Sequence, residues 1–293
     1  MSISASDVAK LRKLTGAGMM DCKKALVESE GDFDRAIQII REKGQAVANK
    51  RADREASEGD VIAKVSADGK YGALIALNCE TDFVAKNEDF VKLAHEICDL
   101  ALATKPANLD ALKNTPFKNG KTVEGIITEQ IGIIGEKLEL ACCESLAGEV
   151  VCPYIHMGNK LATLVSFNQA GVDKQVYKDV AMQVAAMRPL YLDRDEVPSE
   201  VLEKEKEILK EQAENEGLDK SKIEMIVNGR INKYYEEVCL VDQGFIKENK
   251  MKVSKYVESK KSKIISFVRY EVGEGMEKRE ENFADEVMKQ ING

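Results

Sequence analysis

The spacing of apolar positions changes along the chain, and each change marks an element boundary. Over residues 1–45, Val8, Leu11 and Leu14 recur at helical spacing behind Ser6, a helix-capping residue, and Thr15-Gly16 ends the run. After a loop at 16–20, Cys22, Ala25 and Leu26 mark a second helix that Gly31 stops. Asp32 opens a third, with Ala36, Ile37 and Ile40 on its inner face before Gly44. Three short helices with one apolar face each predict a small bundle with a marginal core, suited to docking. Residues 50–60, KRADREASEGD, hold no large apolar side chain and predict a linker.

Beyond the linker the period changes. Residues 61–65 and 71–77 flank Asp68-Gly69 and predict a hairpin. A polar segment at 78–83 leads to Phe90, Leu93, Ile97 and Leu100 at helical spacing, and Val123, Ile126, Ile127, Ile131 and Ile134 mark a further helix. Strands are predicted at 138–145, 149–155 and 161–167, with a turn at Gly158-Asn159 and a helix at 172–187 that Pro189 ends. Residues 69–78 and 158–168 share one plan, a glycine turn and an apolar strand followed by an amphipathic helix. They read as an internal duplication of a sheet-plus-helix unit.

From 199 to 235 the composition shifts to Glu, Lys, Ile and Leu. Val201/Ile208 and Leu202/Leu209 repeat every seven residues, Glu216-Gly217 breaks the run, and Ile223, Ile226 and Ile231 follow. This predicts two antiparallel helices projecting as a coiled-coil arm. The double apolar run is wider than one partner helix covers, so the excess is expected to meet a second subunit or a partner protein. The expected fold class is α+β. Its parts are a helical bundle (1–50), a linker (51–60), a first core subdomain (61–140), and a second core subdomain (141–198 and 236–272) interrupted by the arm (199–235). A C-terminal module (273–293) completes the chain.

Composition then narrows the function. The chain of 293 residues carries a net charge of -8, no Trp and 5% aromatics. That balance argues against phosphate-backbone binding and against a stacking platform for bases, so the expected partner is a protein and not a nucleic acid. There is no basic leader followed by an apolar run, and no apolar stretch near the roughly 18 residues that span a bilayer, so a cytoplasmic protein without membrane attachment is expected. The seven cysteines lack C-x-x-C spacing and a neighbouring His cluster, and read as reduced and mostly buried. Of the two histidines, His95 falls in an amphipathic helix as a structural residue. Gly16-Ala17-Gly18 lies between helices, and Gly273-Glu274-Gly275 is too acidic for a phosphate. No catalytic residue, metal ligand or cofactor is expected, and the chain reads as a non-enzyme.

What stands out are apolar residues that a core does not need. Met19-Met20 sits at a loop-to-helix junction, one expected inside the bundle and one outside. Phe83 follows Thr81-Asp82 and is expected on a protruding turn, because Asp82, Lys86 and Asn87 surround it.

These are also the residues of a resemblance. The stretch 11–26, LRKLTGAGMMDCKKAL, resembles the N-terminal signature of the elongation factor Ts family, and 81–86, TDFVAK, resembles its second signature. Residues 154–158, YIHMG, and 267–275, FVRYEVGEG, match further family segments in order. The resemblance implies a UBA-like three-helix N-terminal domain and a core of two related α+β subdomains. It also implies a coiled-coil dimerisation arm that would allow a homodimer, and a C-terminal helical module. The implied activity is non-covalent guanine-nucleotide exchange on the GTPase elongation factor Tu during translation elongation, through a nucleotide-free complex. Arg12, Met19 and Met20 would dock the bundle on the partner's GTP-binding domain. Thr81, Asp82, Phe83 and Val84 would form a second contact, with Asp82 and Phe83 entering a crevice and displacing the partner's magnesium, while His156 would touch a more distant partner domain. Two places depart from the family pattern. Asn159-Lys160 stands where the family often has Gly-Arg, and Lys247 follows Ile246 in a segment that can be apolar. Two other classes fit parts of the chain. A ubiquitin-type adaptor would use the three-helix module but leaves 60–293 unexplained, and the acidic balance disfavours an RNA-binding translation protein.

Overall fold

The computed structural model describes residues 3–219 and 221–274. It opens with α1 (Ala5–Thr15), α2 (Met19–Glu28) and α3 (Phe33–Arg51), whose residues Leu11, Cys22, Ala25, Leu26 and Ala36 meet in one small core. Ser4, not Ser6, caps α1, because only Ser4 can close a capping box with Asp7. Asp32 caps α3, its carboxylate accepting from the N–H groups of Asp34 (2.9 Å) and Arg35 (3.1 Å).

The hairpin β1 (Glu58–Val65) and β2 (Tyr71–Cys79) leads to α4 (Asp82–Ala85), α5 (Glu88–Thr104) and α6 (Leu109–Lys113). A short ribbon, β3 (Pro116–Lys118) and β4 (Lys121–Thr122), precedes α7 (Val123–Ile134) and β5 (Leu138–Ala147). The second hairpin, β6 (Val150–Ile155) and β7 (Leu161–Phe167), is followed by α8 (Lys174–Met187). Then come the helices α9 (Ser199–Asn215) and α10 (Ile223–Val238), the ribbon β8 (Gly244–Phe245) and β9 (Glu248–Lys252), α11 (Val253–Ser259) and β10 (Ile264–Glu271). Two antiparallel sheets result, ordered β1-β2-β5 and β10-β7-β6. Each is a hairpin whose second strand pairs again with a later strand.

The strands are apolar on both faces because both faces are covered. Ile62, Ala73, Ile75, Leu77 and Leu140 join α5 and α7 in one core. Their alternate neighbours Val61, Ala63, Leu74, Ala76 and Cys142 pack against Val151, Ala162 and Leu164 of the second sheet. Val165 and Phe167, on the far face of that sheet, bury Tyr177, Val180 and Val184 of α8.

Several expected boundaries move. Gly44 does not end α3. The helix runs on to Arg51, and Gly44 instead permits a close crossing with α7, where a Cβ on Gly132 would come within 2.5 Å of Gly44 Cα. Val47 and Ala48 then pack on the first-sheet core, so the bundle is held by a helix and not only by a charged linker. The linker itself shrinks to the few residues between Arg51 and Glu58. A boundary at 140/141 would cut β5, which stays in the first sheet as far as Ala147. The paired helices extend to Val238, with Leu202 and Leu209 packed against Ala213, Ile223, Val227 and Ile231, while Val201 and Ile208 remain exposed. Beyond Glu274, the expected C-terminal module lies outside the described residues. Among the described residues no helix is long and apolar enough to cross a membrane.

Candidate functional site

The chain leaves β2 at Cys79 and makes one helical turn, α4, before α5 begins. Thr81, in extended conformation, caps that turn by accepting from the Val84 N–H (3.4 Å). Asn87 caps α5 in the same way, accepting from the N–H groups of Asp89 (2.9 Å) and Phe90 (3.4 Å). Residues two apart on a helix lie roughly 200° apart around its axis, so burying Ala85 turns Phe83 outward. Phe83 is 84% exposed, which its bulk would not permit without a reason in a free-standing core. Asp82 beside it pairs with Lys86 at 2.6 Å. The hydrogen bond from Lys86, with further positive charge from Lys86 and Lys160, holds the Asp82 carboxyl below its ordinary range.

Lys160 belongs to the β6–β7 turn, which shares this edge of the molecule. Its ammonium pairs with Glu58 at 2.6 Å, and the Val61 N–H donates to Asn159 O at 2.6 Å, so the turn is stitched to the start of β1. Gly158 and Asn159 both take left-handed backbone, with φ of 90° and 58°. Asn tolerates that region better than other non-glycine residues, so the departure from Gly-Arg preserves the turn. His156 is exposed at the tip, its Nδ1 3.0 Å from the Tyr154 hydroxyl, and Met157 next to it is 92% exposed. Sequence reasoning passed over Met157, although a large apolar residue in a glycine turn is a usable signal. Lys247, the other departure, is half-exposed but pairs with a buried acid. Its ammonium lies 2.6 Å from the buried Asp179, which also accepts from Gln175 (2.6 Å) and the Tyr256 hydroxyl (2.9 Å).

Arg12, Met19 and Met20 lie together around the α1–α2 loop, all exposed. The expectation of one methionine inside fails, because Ala17 folds back and fills that end of the bundle, where Cys22 Sγ lies 3.6 Å from Ala17 O. Leu14, expected on the inner face, is exposed too and lines a cleft of about 580 Å³ between the bundle and the core. These residues form a second surface, carried by the bundle. Gly16, with φ 72°, turns the chain between them and packs beside Ile133 of α7.

The Phe83 turn has supports that no local pattern reveals. Glu136, in the α7–β5 corner, accepts from both the N–H (3.1 Å) and the hydroxyl (2.8 Å) of Thr81. Glu80 accepts from the Lys137 N–H (2.6 Å) and from Arg51 at the end of α3 (2.7 Å).

The remaining chemistry is structural. His95 sits half-buried on α5, and burial together with Lys64 holds its imidazole below the usual range. Burial pushes the thiols of Cys79, Cys98 and Cys142 up to about 12, far from nucleophilic readiness. Among the described residues no three of His, Cys, Asp or Glu are grouped to hold a metal ion. The profile of one protein family, described as Elongation factor TS, matches residues 80–274, a span that begins at the residue before Thr81 and takes in β5 of the first sheet and the whole of the second.

Proposed function

The chain belongs to the elongation factor Ts family, and from that premise we propose that it is the guanine-nucleotide exchange factor of elongation factor Tu. The observation that carries this reading is Phe83, an almost fully exposed aromatic on a capped turn. A GTPase holds GDP largely through its phosphates and Mg²⁺. A wedge that fits only the distorted, magnesium-free GTPase stabilises that state and weakens nucleotide by the same coupling free energy. Each tenfold loss of nucleotide affinity needs about 1.4 kcal/mol of differential binding. Burying one Phe supplies about 1.5–3 kcal/mol, so Phe83 accounts for one to two decades and a wider interface supplies the rest.

In this reading Arg12, Met19 and Met20 dock the N-terminal helices, as a UBA-like module, on the GTP-binding domain. Thr81, Asp82, Phe83 and Val84 make the second contact, in which Asp82 and Phe83 displace magnesium, and His156 reaches a more distant domain of the partner. The paired helices α9 and α10 act as a coiled-coil arm, and Val201 and Ile208 on its outside meet a second copy. The protein works in the cytoplasm, takes no cofactor and breaks no covalent bond. Because it leaves when new nucleotide binds, it accelerates exchange in both directions, and an excess of GTP sets the outcome. The test is release of fluorescent GDP from elongation factor Tu with and without this chain. Acceleration that saturates with its concentration is expected, and an unchanged rate refutes the function.

A further inference from the structure

A helix of four residues cannot hold its own shape, since nucleation costs more than one turn returns. The form of α4 is therefore imposed from outside, and the hydrogen bonds at Thr81 say by what. The Thr81 hydroxyl donates its proton to Glu136 Oε1 (2.8 Å), and the Thr81 N–H donates to Oε2 (3.1 Å). With the proton committed to Glu136, a hydroxyl lone pair is left for the Val84 N–H, the bond that caps α4. The preceding residue is tied as well. Glu80 accepts from the Lys137 N–H (2.6 Å) and from Arg51 Nη1 (2.7 and 3.0 Å). Burial opposes a charge on Glu80, but these donors outweigh it and hold the carboxyl below its ordinary range. The two carboxylates thus fasten the approach to Phe83 to the α7–β5 corner and to the last turn of α3.

We propose that Glu136 is the positioning residue of the exchange reaction, acting through Thr81 to fix the direction in which Phe83 enters the partner. The Arg51–Glu80 pair aligns the same segment with α3, the helix that ties the N-terminal bundle to the core. The proposal rests on the exchange-factor reading above. Glu136 contributes through the wedge alone, so its removal lowers the rate at which bound partner releases nucleotide more than it lowers affinity for the partner.

The experiment is stopped-flow release of fluorescent GDP from elongation factor Tu over a range of factor concentrations. It compares the intact chain, Glu136→Ala, Glu136→Gln, Phe83→Ala, and the Glu136→Ala/Phe83→Ala pair. Losing two hydrogen bonds to a charged acceptor should lower the maximal rate of Glu136→Ala roughly tenfold, with the half-saturating concentration moved by no more than about twofold. Glu136→Gln keeps one acceptor oxygen and should fall between. On the Phe83→Ala background, Glu136→Ala should cost less than about twofold more, because the two residues act as one unit. A Glu136→Ala maximal rate equal to that of the intact chain overturns the proposal, and so does a full tenfold loss on top of Phe83→Ala. If Glu136→Ala melts early, Glu136→Gln decides by the same two criteria. An intact chain without effect on release, or a Phe83→Ala chain as fast as the intact one, overturns the exchange reading itself and the proposal with it.

Discussion

Replacing Asp60 by Asn should stabilise the protein at neutral pH and change nothing near pH 4. Asp60 lies on β1 opposite Leu77 of β2, 3% exposed, with one carboxylate oxygen lacking any hydrogen-bond partner. Burial pushes its pKa up from 3.8 to about 6, against the opposing effect of a hydrogen bond from the Asn159 side chain. Glu58 nearby is already paired with Lys160, and Glu136, Glu58 and Asp60 all help push the Cys79 thiol up. A folded-state pKa above the unfolded one means the folded protein holds the proton more tightly. Stability from this group is therefore fully present below about pH 3.8, declines as pH rises, and is lost once pH passes about 6. A shift of roughly two units corresponds to about 3 kcal/mol, which is the most that Asp60→Asn can return above the upper pKa. Urea unfolding of both chains at about pH 4 and about pH 7.5 measures it, because other titrating groups cancel in the difference. The Asn chain should gain on the wild type only at the higher pH. A stability difference of equal size at both values would show that Asp60 is not buried as a charge.

The Gly44–Gly132 crossing makes an asymmetric prediction: Gly132→Ala should cost about 1–3 kcal/mol and loosen α3 from α7, whereas Gly44→Ala should be neutral or stabilising by up to about 1 kcal/mol, since its Cβ meets only ordinary contacts beyond 3.6 Å. Thermal melts of the two variants decide it, and equal losses would refute the geometry. Lys247→Met should cost about 1–3 kcal/mol by leaving the buried Asp179 with neutral donors only, its loss discounted because Lys247 is itself half-exposed; a urea midpoint equal to wild type would contradict it. Replacing 199–235 with a short Gly/Ser linker should lower the light-scattering mass by more than the arm itself while exchange persists, and a mass change equal to the arm alone would sink the dimer contact at Val201 and Ile208.

What the sequence made legible was whatever depends on near neighbours. The apolar runs of β1 and β2, the capping Asp32, and the polar residues around an exposed Phe83 all lie within a few positions of what they determine. Gly44 misled because a glycine after a helical run usually ends it, and its actual reason, Gly132, lies in another helix. One of Met19 and Met20 was expected inside because a three-helix bundle needs apolar filling at that end, and only the packing shows Ala17 already in that place. The strand β5 was divided because its pairing partner β2 lies far back in the chain. Glu136 was invisible for the same reason: one acidic residue among 51 Asp and Glu gains meaning only when the fold sets it against Thr81.

The central claim is that Phe83 is an exposed wedge that drives nucleotide from the GTPase. Stimulated release of fluorescent GDP from elongation factor Tu by the Phe83→Ala chain tests it most directly, read beside a thermal melt of the same sample. Loss of a buried Phe contact should slow release by about one to two decades, and the melt should stay where it was because Phe83 supports nothing in the free protein. Release as fast as with the intact chain would contradict the wedge, and a melt lowered by many degrees would return Phe83 to the core.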